Sequence, residues 1–177
     1  MTELTRRPYG SVQSSKQWGN MKAYLGLDLG TYMGWARTDL FPGSGGVFLS
    51  GAWDFDITRF DAPPVRYQKF EVKLREHCVL GLNMVFYEKI LRHKGTTAAH
   101  VYGAFLNKLH EVCDEYGVPY IGLSVQEIKK FATGKGGGPQ ATKDKMIEAV
   151  KRWGHNPQSD DEADAIAILK CGLETKL

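Results

Sequence analysis

Cysteine is scarce. The 177-residue chain carries three, Cys78, Cys113 and Cys171. They form no CxxC pair and no zinc-like spacing, which excludes a disulfide scaffold and points to reduced thiols filling a core in a cytoplasmic setting. No apolar run approaches the ~20 residues that cross a bilayer. The first residues also lack the apolar core of a secretory signal. No membrane partner is therefore expected. No internal repeat is evident. Charge of one sign is not in great excess: the net value is +3. Arg6, Arg7, Lys16 and Lys22 against Glu3 account for it, leaving the remainder close to neutral with a locally basic stretch over 124–155. Residues 1–21 are rich in Ser, Gln, Gly and Arg without periodicity. They read as a flexible basic arm, either idle or touching nucleic acid. Residues 22–177 suit one domain with a sizeable core.

What is present is a concentration of acid at the start of an apolar helix. In Asn156–Leu169, Ser159 and Glu162 have capping-box spacing. Asp160, Asp161 and Glu162 fall where a helix dipole favours negative charge. Asp164 is different, because Ala163, Ala165, Ile166, Ala167, Ile168 and Leu169 surround it and a helix so apolar is buried. A carboxylate there needs a positive partner. Asp161 and Asp164 share a helix face, as do Asp160 and Asp164. Two readings stand: a charged cap, or ligands to a divalent cation.

The rest of the chain predicts a mixed α/β domain. Lys22–Leu29 reads as a strand with Leu25, Leu27 and Leu29 on one face and Gly26 and Asp28 on the other. A turn at 30–36 leads to a second strand, and the turn Pro42–Gly46 to a third over Val47–Phe55, together an antiparallel meander. A helix is expected over Pro63–Leu80, then a doubly buried strand over Leu82–Glu88. Thr96 or Thr97 can cap a helix to about Tyr116. Its two apolar stripes suit either one core or a core plus a partner subunit. Gly117–Leu123 reads as a last strand. Ser124–Phe131 is a helix with Glu127 in capping-box position, Thr142–Trp153 an amphipathic helix, and the acidic helix follows. The expected architecture is a five-stranded mixed sheet, a meander plus two parallel strands, with helices on both faces.

Alone, Asp28 in Asp-x-Gly is a turn aspartate and Glu88 a strand-end acid. On adjacent parallel strands the two would meet at the carboxyl edge of the sheet, where ligands of open α/β folds gather. With Asp161 and Asp164 packed there, four carboxylates could not all stay ionised without cations. Two magnesium ions roughly 3.5–4 Å apart would satisfy them and are the apparatus of phosphodiester cleavage. Lys129, Lys130, Lys135, Lys143, Lys145, Lys151 and Arg152 precede the acidic helix. Glycines among them let backbone N–H groups approach phosphate. The alternative for this cluster is a solvated helix face. Lys135 is followed by Gly136 rather than Ser or Thr, so this is no nucleotide P-loop and no small-molecule cofactor is expected. Tyr67, Tyr102 and Trp153 could stack on bases, with core packing the simpler role.

The set Gly26-Leu27-Asp28-Leu29-Gly30, Phe86-Tyr87-Glu88 and Asn156-Pro157-Gln158 leading into Asp161-Glu162-Ala163-Asp164-Ala165 resembles the RuvC family of Holliday-junction resolvases, nearest to its phage-type branch. The resemblance covers residues 22–171. It implies an RNase H-like fold, a homodimer, Mg²⁺ or Mn²⁺ dependence and nicking of four-way DNA junctions. It also implies that Asp28, Glu88, Asp161 and Asp164 bind metal and that Lys143 lies near the scissile phosphate. Lys129, Lys130, Lys135, Gly136, Lys143 and Lys145 would contact DNA. Two departures stand out. One extra residue separates Asn156-Pro157-Gln158 from the acid pair, leaving Asp160 as an alternative to Asp161. Leu91 stands where some resolvases carry an aromatic wedge. Asp28-Leu29-Gly30-Thr31 also resembles the phosphate turn of actin- and hexokinase-like ATPases, but those need two related domains and a second such turn. A non-catalytic junction-binding module is the remaining alternative, against which stands the presence of all four acids.

Overall fold

Alternation along the first strand decides which way the rest of the molecule faces. The computed structural model describes residues 21–41, 45–92, 95–134 and 143–177. Strand β1 is Lys22–Asp28. Leu25 and Leu27 turn to one side of it, and Tyr24, Gly26 and Asp28 to the other. The elements that follow are β2 (Tyr32–Phe41), β3 (Gly45–Asp54), α1 (Val65–Val79), β4 (Met84–Lys89), α2 (Thr96–Tyr116), β5 (Tyr120–Ser124), α3 (Val125–Thr133), α4 (Lys143–Arg152) and α5 (Asp160–Lys176).

The strands form one sheet in the order β3-β2-β1-β4-β5. The first three pair antiparallel, while β4 and β5 run parallel to β1. This is the expected meander plus two parallel strands. α1 and α2 cover the Leu25/Leu27 face, where Phe70, Leu74, Val85, Phe105 and Leu109 pack. α3, α4 and α5 cover the other, around Tyr24, Phe86, Leu123, Ile128 and Met146. α5 is apolar nearly all round because the sheet lies on one side of it and α3 and α4 on the other. The three cysteines are buried free thiols.

Several boundaries differ from the sequence expectation for local reasons. The last strand begins at Tyr120, because Gly117 adopts φ 65° and closes α2 with a left-handed cap. The N-cap of α2 is Gly95, with no side-chain cap from Thr96 or Thr97. At α5, Glu162 N–H donates to Ser159 Oγ (3.1 Å), which is half of the expected capping box. The Glu162 carboxylate instead accepts from Gln158 N–H and Ser50 Oγ, both at 2.7 Å, fastening the start of α5 to β3. At α3 both halves form: Glu127 N–H donates to Ser124 Oγ (3.2 Å) and Ser124 N–H to the Glu127 carboxylate (2.8 Å).

Arg37 of β2 was not singled out by any pattern. It is buried, pairs with Asp39 (2.8 Å), and donates to the carbonyls of His77 (3.1 Å), Leu80 (3.4 Å) and Gly81 (3.2 Å). Those carbonyls lie at and just past the C-terminus of α1, where a helix leaves acceptors unpaired. Tyr67, Tyr102 and Trp153 all take packing roles, against Phe105, in the core beside it, and against Phe131 respectively.

Candidate active site

Asp28 ends β1, directly across from Gly34 on β2. The parallel register of β1 and β4 pairs Leu27 with Tyr87. One step further along each strand come Asp28 and Glu88, side by side at the carboxyl edge of the sheet. Behind Glu88, the Tyr102 hydroxyl donates to the Glu88 carbonyl (2.9 Å) and accepts from Ile90 N–H (3.2 Å), which holds the end of β4 in place.

Two glycines bring the acidic helix onto this edge. A Cβ on Gly34 would lie 1.8 Å from the Asp161 carbonyl oxygen, and one on Gly26 would lie 2.7 Å from that of Ala165. No other residue type permits such an approach. α5 therefore lies backbone against backbone on β1 and β2, with Asp161 and Asp164 carried to the edge where Asp28 and Glu88 end their strands. Glu88, Asp164 and Lys129 line one cleft of about 220 Å³, amid Ile128, Met146 and Ile168.

The electrostatics identify a single cluster. Burial holds the Asp28 carboxyl well above the usual range, and the charges of Glu88, Asp164, Asp161 and Asp160 each push it further. Glu88 is raised to about 7, by burial first and by Asp164 second, with Lys129 opposing. Asp164 is raised to about 6 by burial and then by Asp160, while Lys129 and Lys143 pull it back. Asp161 is raised as well, by burial and Asp160. Asp160 behaves oppositely: its ion pair with Lys143 lowers it. The four expected acids thus share one field with Asp160, whose own charge is partly offset by Lys143. Among the described residues, no group of three or more Asp, Glu, His or Cys side chains is drawn together tightly enough to hold an ion in this arrangement.

The basic residues divide. Lys129 is half-buried and faces the acids. Lys130 is exposed on the last turn of α3, and Lys143 is exposed while bridging α4 to α5 through Asp160. Lys145 is half-buried on α4. Lys135 and Gly136 lie outside the described residues. Gly34 is a residue that sequence reasoning missed, and Tyr102, weighed there for stacking or core packing, also holds the end of β4. Gly34 stood in the turn after the first strand, but nothing local marked it as a docking point for a helix more than a hundred residues later.

Fold and site together define a class of protein: an RNase H-like α/β domain with acids at the carboxyl ends of β1 and β4 and on the closing helix. Solved structures of that class superpose on it. Thermus thermophilus RuvC in complex with Holliday junction substrate matches with a TM-score of 0.72 at 18% identity, covering 86% of this chain and 93% of that one. A second T. thermophilus RuvC structure gives 0.69 at 19% identity, covering 85% and 93%. The yeast mitochondrial Holliday junction resolvase Ydc2 gives 0.56 at 13%, covering 84% and 76%. The fold is that of the RuvC resolvases. No family model and no curated protein sequence matches the chain.

Proposed function

We propose that this protein is a divalent-metal-dependent endonuclease that resolves four-way DNA junctions as a homodimer. The observation that carries the reading is the shared field of Asp28, Glu88, Asp161 and Asp164 at one sheet edge of a resolvase fold. Carboxylates that raise one another's proton affinity in a buried cleft are a donor set for hard cations. Asp28, Glu88, Asp161 and Asp164 would hold two ions of Mg²⁺ or Mn²⁺ by drawing together, and such ions supply the Lewis acidity that phosphodiester hydrolysis needs. Asp161 rather than Asp160 suits the fourth position, because Asp160 is taken up by Lys143.

The chain's own residues supply the rest. Lys143, exposed beside the acids, keeps Asp160 and turns a further N–H to a phosphate oxygen, and so orients the scissile strand. Lys129 offsets the charge of Glu88 and Asp164 within the cleft. Lys130, Lys145 and the segment with Lys135 and Gly136 contact flanking phosphates. Two copies provide the pair of sites that two opposed nicks require, one per chain.

The test is incubation with labelled four-way, flap and linear duplex DNA in Mg²⁺ and in EDTA. Cleavage of the junction only with the cation is expected. Glu88→Gln should abolish cleavage while junction binding persists, and turnover by that variant would overturn the reading. Binding without cleavage by the wild type would identify a junction-binding module instead.

A further inference from the structure

The strand edge that carries the acids also carries a turn with no part in their cleft. β3 pairs with β2 and runs parallel to β1, one strand away, so both end at this edge, and Phe55 N–H donates to the Thr31 carbonyl (2.9 Å) just past the end of β1. The turn that follows is closed by four hydrogen bonds. Thr58 N–H and its hydroxyl both donate to the Asp61 carboxylate (2.9 Å each), Phe60 N–H donates to Thr58 Oγ1 (3.3 Å), and Asp61 N–H to the Thr58 carbonyl (3.1 Å). Arg66, at the start of α1, donates to Thr31 Oγ1 (3.2 Å) and pairs with Asp56 (3.9 Å), which fixes the turn to the segment after Asp28.

At the tip, Phe60 is 83% exposed, the largest value among the exposed large apolar side chains described, and the Arg59 guanidinium lies 4.6 Å from its ring centroid. A lone exposed ring needs no explanation. A ring held out on a closed turn, with a cation on one face and at the same edge as a nuclease cleft, has the form of a stacking platform. The turn's acids are occupied: Asp61 closes it, Asp56 meets Arg66, and Asp54 accepts from Asp56 N–H at 2.8 Å. Thr31 and Arg66, which hold the turn, also line a cavity of about 510 Å³ together with Ile90 and Thr97.

Resting on the nuclease reading, we propose that the 58–61 turn is a nucleobase-stacking element. Phe60 stacks on an unpaired base at the branch of the DNA, and Arg59 shifts from the ring to a neighbouring phosphate. The test uses the full chain in EDTA with a four-way junction carrying 2-aminopurine at the branch, and a linear duplex of equal length. Phe60→Ala should melt as the wild type does, bind the junction about tenfold more weakly, bind the duplex unchanged, and lose the fluorescence change at the branch. Phe60→Trp should restore both. Unchanged junction affinity and fluorescence in Phe60→Ala overturn the inference, as does an equal loss on duplex and junction. A wild type that binds no branched DNA overturns the nuclease reading and this inference with it.

Discussion

Glu88 is held above its ordinary range to about 7 by burial and by Asp164, and this has a consequence for stability whatever the chain's activity. Between pH 4.5 and about 7 the folded protein keeps a proton that the unfolded chain releases, so stability is fully present below that interval and is lost as pH rises through it. At about 1.4 kcal/mol per unit, the loss is on the order of 3 kcal/mol for this residue. In EDTA at pH 8, Glu88→Gln should therefore melt higher than the wild type, by roughly 2–4 °C for each kcal/mol recovered. At pH 5 the two should nearly coincide. Mg²⁺ should raise the wild type and leave the variant little changed. An equal melting temperature at pH 8 in EDTA would show that Glu88 carries no such burden. His77 tilts the profile the other way: burial and then Arg37 hold its imidazole near pKa 4, so its contribution is lost as pH falls below 6.5.

At the scale of elements, the contact between α5 and the sheet decides whether the acids meet. Gly34→Ala places a methyl 1.8 Å from the Asp161 carbonyl, with backbone rather than a flexible side chain in the way. The helix start must move, at a cost of about 1–3 kcal/mol or more. A parallel loss of at least tenfold in cleavage is expected, because Asp161 moves with it. Gly103→Ala, in α2 with nothing within 4 Å of the new methyl, should instead stabilise by about 0.5–1 kcal/mol. Urea unfolding of the two variants measures the contrast, and an unaffected Gly34→Ala would mean that α5 does not seat as described. Much at this scale was legible in the chain. The alternation of Leu25 and Leu27 with Gly26 and Asp28 assigned faces to β1, and i,i+3 spacing put Asp161 with Asp164. Ser124 and Glu127 marked the start of α3 because a capping box is wholly local. What could not be read depends on partners distant in sequence: Ser50 drawing the Glu162 carboxylate out of its box, Asp160 occupied by Lys143, and Arg37 closing the end of α1. Periodicity and spacing carry no information about such pairings.

For the whole molecule, the near-neutral body means that the proposed DNA binding would draw on local charge rather than on net charge. Lys130, Lys151 and Arg152 are exposed around the cleft-forming helices. If three phosphates are neutralised there, junction affinity should fall by roughly 40-fold between 50 and 200 mM salt. Lys130→Ala should lower the slope of log affinity against log salt by about one. An affinity indifferent to salt would contradict a phosphate-binding role for these residues.

α5 follows every strand and every other helix in chain order, yet it holds half of the acidic quartet. A growing polypeptide that has emerged from the ribosome only as far as α4 can pair all its strands and still lack Asp161 and Asp164. On the proposed nuclease reading, a chain released before α5 is complete would therefore fold its sheet without a working site.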